Sequence, residues 1–344
     1  MTLDRRAVLA GLASLAAGPL AAADPLAEAE ARAAGLDQLH ALIVAQHGET
    51  RLARAFRGPP LDRPVNVKSV SKTIVATLTG QAIARGELRG VDQPVVELID
   101  PPPGADPRVA EITVEDLLTL RAGLERTSGA NYGAWVASRD WVADALSRPF
   151  VDEPGGRFLY STGSTHALGA ALAAAANKSL LVLARERLGA PLGVAIPPWT
   201  RDPQGRFMGG NQMALSPRAL LRFGEAWRRG GLRGGARVIP QAWIAASWTP
   251  RARSPWSGHA YGYGWFLAEM AGRRVAYARG YGGQMLHVVP ELGLTVVMTS
   301  DPTRPARSRG HVGALNALLA ETIIPALAEA EAPPSDETAG WPPA

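Results

Sequence analysis

Hydrophobic and polar positions change their period along this chain in an order that outlines its architecture. ALIVAQHGETRLARAFRG (41 to 58) alternates on both sides of His47-Gly48-Glu49-Thr50, which predicts a β-hairpin with glycine in its turn. Val70, Ile74, Leu78, Ala82 and Ile83 then recur at helical spacing, predicting a well-buried helix over 69–87 that ends near Gly86. Between 91 and 212 the helical segments VEDLLTL, WVADALS, HALGAALAAAA and LLVLARERL are broken by PPPGADP, DEPGG and APLGVAIPP. Ser216-Pro217, a cap followed by proline at the first helical position, opens a further helix through ALLRFGEAWRR. Strand-like runs return as GYGWFLAEM, RRVAYAR, MLHVVP and LTVVMTS, and a last helix covers about 311–329.

The fold class that follows is α+β. A largely antiparallel sheet draws strands from both ends of the chain, flanking helices cover it, and an all-helical subdomain is inserted. The expected division is 24–90 and 213–329 for the two parts of the α/β subdomain and 91–212 for the helical one. The tail, 330–344, is too rich in proline and polar residues to pack, and ADPLAEAEARAAGL (23 to 36) reads as an exposed helix.

Residues 1–23 have a different pattern. Arg5-Arg6, an apolar run from Ala7 to Leu20 and the small residues Ala21, Ala22 and Ala23 predict a signal peptide of the twin-arginine type, although Asp4 precedes the pair and Val8 replaces the usual Phe. The run is too short to span a bilayer, so the expected protein is periplasmic or secreted, with no membrane anchor once the signal is removed.

Composition narrows the chemistry. The 344 residues carry a net charge of +5, but the arginines are scattered among Asp and Glu instead of massed in a stripe, which argues against nucleic acid as a partner. With no cysteine, disulfides, thiolate catalysis and thiolate-bound metal are excluded. The six histidines, at 40, 47, 166, 259, 287 and 311, show no metal-ligand spacing and read as structural or exposed. A catalyst here would use oxygen or nitrogen.

Only three of the thirty-six basic residues are lysine, and two of them, Lys68 and Lys72, flank Ser69. Arginine supplies a fixed charge, whereas lysine can be made to shed its proton by burial. Three residues apart on a helix, Ser69 and Lys72 share a face, so a deprotonated Lys72 could take the hydroxyl proton. The alternative is a helix cap beside a solvated lysine, against which stand the apolar neighbours Ile74, Val75 and Leu78.

Two more stretches could complete a site. In PGGRFLYSTGSTHALGAAL (154 to 172), Tyr160 stands just before a helix, either packed in the helical part or, near a cationic lysine, favoured as phenolate and able to shuttle protons. In YARGYGGQMLHVVPELGLTVVMTS (277 to 300), the glycines are a tight turn or a place where a backbone N–H approaches a reacting carbonyl.

Taken in order, Ser69-Val70-Ser71-Lys72, Tyr160-Ser161-Thr162 and Gly280-Tyr281-Gly282-Gly283-Gln284 resemble the serine β-lactamase and penicillin-binding superfamily. The likeness is strongest to the branch holding class C β-lactamases, family VIII carboxylesterases, D-aminopeptidases and 6-aminohexanoate-dimer hydrolase. It is supported by ITVEDLLTLRAGL, GGNQMALSPRALLRFGEAW and YGYGWF, and it runs from about 38 to 327. The resemblance implies Ser69 as acylated nucleophile, Lys72 as its base or the base's electrostatic partner, and Tyr160 as second proton carrier. It also implies an oxyanion hole from the N–H groups of Ser69 and Tyr281, a site between sheet and helical subdomain, and no metal or organic cofactor.

Three departures bear on substrate. Thr162 stands where many relatives have Asn or Ser. The lysine of the third motif is missing, Ala278-Arg279-Gly280 taking its place with Arg279 one residue out of register, and Arg121-Ala122-Gly123-Leu124 replaces the usual Thr-Ser-Gly-Leu. The lost lysine weakens a β-lactamase or D-amino-acid peptidase reading, so the expected substrate is a small-molecule ester or amide. A non-turnover penicillin-binding sensor remains the alternative from a different class.

Overall fold

A computed structural model of the chain describes residues 24–329, so the expected signal peptide and tail lie outside the described residues. Twelve strands run in chain order: β1 (Leu39–Gln46), β2 (Glu49–Ala55), β3 (Val65–Lys68), β4 (Met213–Leu215), β5 (Leu232–Arg233), β6 (Ala236–Arg237), β7 (Ala252–Arg253), β8 (Ala260–Tyr261), β9 (Phe266–Met270), β10 (Arg273–Gly280), β11 (Gln284–Val289) and β12 (Leu294–Ser300). Eight of them form one antiparallel sheet ordered β2-β1-β12-β11-β10-β9-β8-β7. The sheet therefore joins the two ends of the chain where β1 pairs with β12, Ile43 opposite Val297. The turn between β1 and β2 falls on His47 (φ 52°) and Gly48 (φ 89°), the left-handed pair that a two-residue hairpin requires.

Every residue of β11 and β12 is buried, because helices cover both faces of the sheet. Alternate side chains divide between two cores. Ile43, Leu286 and Val297 pack with the Pro217–Arg228 helix, whereas Val44, Met285, Val296 and Met298 pack with Leu315, Leu318 and Ile323 of the C-terminal helices. Gly224 lets the Pro217–Arg228 helix lie close, since a Cβ there would stand 2.6 Å from Leu286 and 2.7 Å from Thr295. The Ala27–Ala34 helix is less exposed than its composition implies, because Ala29 and Ala33 bury themselves in the second core.

The central helix spans Ser71–Ala84, two residues short of its expected start. It is buried from Ser71 to Ala82, on all sides, which explains its weak amphipathic pattern. The helices between 91 and 212 extend its apolar surroundings: Leu117, Leu118, Ala145, Leu146, Leu168 and Leu172 share the first core with Ile74, Val75 and Leu78. Two short antiparallel strand pairs were not legible in the sequence. One is β3 with β4, where Val65 lies opposite Leu215; the other is β5 with β6. The expected strand GYGWFLAEM begins only at Phe266, because Gly262 and Gly264 turn the chain between β8 and β9.

Candidate active site

Ser69 lies in the turn between β3 and the Ser71–Ala84 helix. Lys68 just before it adopts a left-handed φ of 51°, an uncommon state for a residue with a Cβ. Local hydrogen bonds hold it there: the Asn66 side-chain oxygen accepts from the Lys68 N–H at 2.9 Å, and Ser71 Oγ donates to the Lys68 carbonyl at 2.6 Å. Ser71 Oγ also accepts from the Met213 N–H at 3.1 Å, tying the elbow to β4. These contacts hold the turn that carries Ser69.

Lys72 meets it there. Its Nζ lies 3.3 Å from Ser69 Oγ, 3.3 Å from Thr162 Oγ1 and 2.6 Å from the Gly210 carbonyl oxygen. Lys72 is 3% exposed, and burial lowers its pKa from the ordinary lysine value to about 7. Of the two readings of this pair, the solvated lysine is the one the geometry rejects.

Thr162 opens the Thr162–Ala175 helix, and its hydroxyl also lies 2.9 Å from Ser128 Oγ. Thr162 Oγ1 accepts from Lys72 Nζ and can donate its own hydroxyl hydrogen to Ser128 Oγ, which also accepts the Thr162 N–H at 2.9 Å. Gly210 went unnoticed as a site residue in the sequence. It belongs to Gly209-Gly210, where a Cβ would stand 2.4 Å from the Thr165 carbonyl in the first case and 2.7 Å from that of Thr162 in the second. The paired glycines in GGNQM were the available signal, since only glycine lets this segment press against the helix and reach Lys72.

Tyr160 also joins the group. The Lys72 amine stands 4.9 Å from the centre of its ring. The expectation that a nearby cation would favour its phenolate is corrected here. Burial raises the Tyr160 pKa and outweighs the lowering effects of the Ser69 hydroxyl and the Arg279 charge, so the phenol keeps its proton.

On the sheet side, Gly280 ends β10 and pairs with Gln284 across a turn of Tyr281, Gly282 and Gly283. The glycine run is thus a tight hairpin turn, with Gly282 and Gly283 at φ 81° and 95°. It is also a close approach: a Cβ on Gly280 would stand 2.4 Å from the Val67 carbonyl and 3.1 Å from Lys68 Cβ. Tyr281 and Ser69 are the next residues on the two segments, and the Tyr281 ring is 53% exposed at the rim. Arg279 is partly buried and turned to the loop beyond β12, donating to Ser308 Oγ at 3.0 Å and the Ala306 carbonyl at 3.2 Å.

Several other features now have reasons. Arg121 donates to the carbonyls of Gly155, Gly156 and Arg251, fixing the loop that leads to Tyr160. Gly264 in YGYGWF, at φ 76°, brings its backbone against Lys72 and Thr73 of the Ser71–Ala84 helix, and Thr73 Oγ1 donates to its carbonyl at 2.6 Å. His166, expected to be structural or exposed, is fully buried and linked to the site. Its Nδ1 accepts from the Gly209 N–H at 3.2 Å, so its Nε2 carries the proton that faces Asp202 at 3.2 Å. Among the described residues no group of His, Asp and Glu is arranged to hold a metal ion.

Comparison with known proteins bears on the fold and the family. Solved structures of similar fold include EstCE1, a hydrolase with promiscuous acyltransferase activity (TM-score 0.71, 18% identity, 86% of this chain and 98% of that one). A D-stereospecific amidohydrolase from Streptomyces sp. matches with TM-score 0.67 and 19% identity over 86% of this chain and 98% of its own. A candidate 6-aminohexanoate-dimer hydrolase from Bacillus anthracis matches with TM-score 0.69 and 17% identity over 86% and 80%. Two Dichelobacter nodosus proteins described as fimbrial assembly protein FimD, of serogroups H1 and D, are 30% and 29% identical over 150 residues. That match spans 41% of this chain and 37% of each of them, so it covers well under half of either. A model of the β-lactamase family matches residues 34–321, most of the length and every residue of the candidate site, and the chain therefore belongs to the β-lactamase family.

Proposed function

We propose that this protein is a serine hydrolase that cleaves a small-molecule ester or amide through an acyl-enzyme on Ser69. The observation that carries the reading is the 3.3 Å contact between Ser69 Oγ and a buried Lys72 whose pKa is lowered to about 7. A hydroxyl needs a partner that accepts its proton, and an amine that is half neutral near pH 7 is such a partner.

In this scheme neutral Lys72 takes the Ser69 proton as Oγ attacks the substrate carbonyl. The N–H groups of Ser69 and Tyr281 receive the developing oxyanion, a role consistent with the close packing of Gly280 on Val67. The bond to the leaving group breaks with its electron pair, and the leaving atom takes the Tyr160 proton. The Lys72 ammonium then restores the phenol, so the proton lost by serine has in net terms gone to the product. Hydrolysis of the acyl-enzyme repeats the sequence with water as nucleophile. The environments of Lys72 and Tyr160 support this assignment, since burial favours the neutral form of both. The scheme uses no cofactor.

An ester is the first choice of substrate, because the third-motif lysine is replaced and Arg279 is engaged with Ser308 and Ala306. On the pattern of residues 1–23 we place the mature protein in the periplasm or outside the cell. The deciding experiment is intact mass after mixing with a short p-nitrophenyl ester or a penicillin, in wild type and Ser69→Ala. Ester turnover that disappears with Ser69 supports the proposal. Rapid penicillin hydrolysis would replace the substrate class, a stable penicillin adduct without turnover would indicate a sensor, and ester turnover retained by Ser69→Ala would refute the mechanism.

A further inference from the structure

Trp256 is 53% exposed, and it stands at the tip of the loop between β7 and β8. The loop is closed on itself by bonds from the Ser254 N–H to the His259 carbonyl and from the Gly258 N–H to the Ser254 carbonyl, both 2.9 Å. His259 Nδ1 fastens it to the Tyr277 hydroxyl of β10 at 2.8 Å. The indole is therefore exposed but held in place.

Its neighbours border the catalytic group. One edge meets Phe158 at 6.3 Å between ring centres, and Phe158 in turn lies 6.2 Å from Tyr160. The guanidinium of Arg126 stands 5.2 Å from the indole centre. Arg126 directly precedes Thr127 and Ser128, whose hydroxyls hold Ser161 and Thr162. No carboxylate pairs with Arg126 among the described residues, whereas Arg108, Arg148, Arg187 and Arg228 all have acid partners. An unpaired guanidinium beside a fixed, exposed aromatic face can take a planar group and an anion together.

We propose that Trp256 and Arg126 form a subsite for an aromatic, acid-bearing leaving group, making the preferred substrates aryl esters or amides with a carboxylate on the ring. This rests on the catalytic reading above, in which Tyr160 protonates the leaving atom. The subsite is one ring removed from Tyr160 and so lies on the leaving-group side. It is built from residues outside the three motifs.

Phenyl acetate, 4-carboxyphenyl acetate and vinyl acetate test it, because all three form the same acetyl-enzyme and differ in kcat/KM only through acylation. In Trp256→Ala, the kcat/KM of phenyl acetate relative to vinyl acetate falls about tenfold, the size of one lost aromatic contact. Trp256→Phe recovers most of that selectivity. In Arg126→Gln, 4-carboxyphenyl acetate loses about fivefold relative to phenyl acetate, as for a partly exposed ion pair, and Arg126→Lys restores part of it. Ratios unchanged within twofold in Trp256→Ala and Arg126→Gln would overturn the subsite while leaving Ser69 catalysis standing. Failure of wild type to form any acetyl-enzyme would overturn both.

Discussion

Lys72 Nζ donates to the Gly210 carbonyl oxygen at 2.6 Å, the shortest of its three contacts. A carbonyl only accepts, so one amine hydrogen is always committed to it. With Thr162 accepting the second, a neutral Lys72 directs its lone pair at Ser69, the orientation a base requires.

Loss of that base is the most direct check. Lys72→Arg keeps the charge but cannot deprotonate, so acylation by a p-nitrophenyl ester falls by about a thousandfold, within the usual range for a positioned base. In wild type the acylation rate rises with pH through a midpoint near 7, as Lys72 becomes neutral. Stopped-flow acylation against pH reads both effects, and a flat profile between pH 6 and 8 would contradict the role of Lys72.

The same shift has a consequence for stability. Lys72 titrates at about 7 in the folded protein, below its ordinary value of 10.5, so between these pH values the unfolded chain binds more protons. Folding is therefore penalised below pH 7, and the penalty disappears as pH rises toward 10.5. The unfolding free energy of wild type minus that of Lys72→Met increases over this window, by up to about 5 kcal/mol. Urea melts of the two proteins at pH 6.5 and 9.5 measure the difference.

His287 on β11 is fully buried beside Tyr277, 5.7 Å between ring centres, and burial lowers its pKa to about 4, the Asn316 side chain offsetting only part of the effect. The unfolded chain takes up this proton near 6.5 and the folded one only near 4. Stability is thus lost as pH falls through that window, by about 3 kcal/mol in all. In His287→Phe the decline between pH 6.5 and 4 becomes shallower by a comparable amount in thermal or urea melts; an unaltered slope would assign acid unfolding to other groups.

His166 reaches Lys72 through the backbone of Gly209 and Gly210. Asn at 166 keeps an acceptor where Nδ1 stands, while Ala leaves the buried Gly209 N–H unpaired at about 1–3 kcal/mol. His166→Asn is expected to retain more kcat/KM than His166→Ala, and the acylation midpoint near pH 7 should move in His166→Ala but not in His166→Asn. Identical profiles for the two variants would leave His166 with packing alone.

Local patterns in the chain already determined a good deal. The alternation around His47-Gly48 fixed a hairpin, helical spacing placed the central helix, and the three-residue interval put Ser69 and Lys72 on one side of it, because these relations depend only on backbone periodicity. The burial of Lys72 depended on what surrounds it: Thr162 and Gly210 come from 90 and 138 residues away, and only packing of the Thr162–Ala175 helix and the Gly209-Gly210 segment encloses the amine. The protonated state of Tyr160 was decided in the same way, by desolvation that no local pattern encodes. Tertiary structure alone likewise set Arg279 against Ser308 and Ala306 and joined His166 to Asp202 and Gly209, since side-chain direction and burial are properties of the packed fold and not of any short stretch of residues.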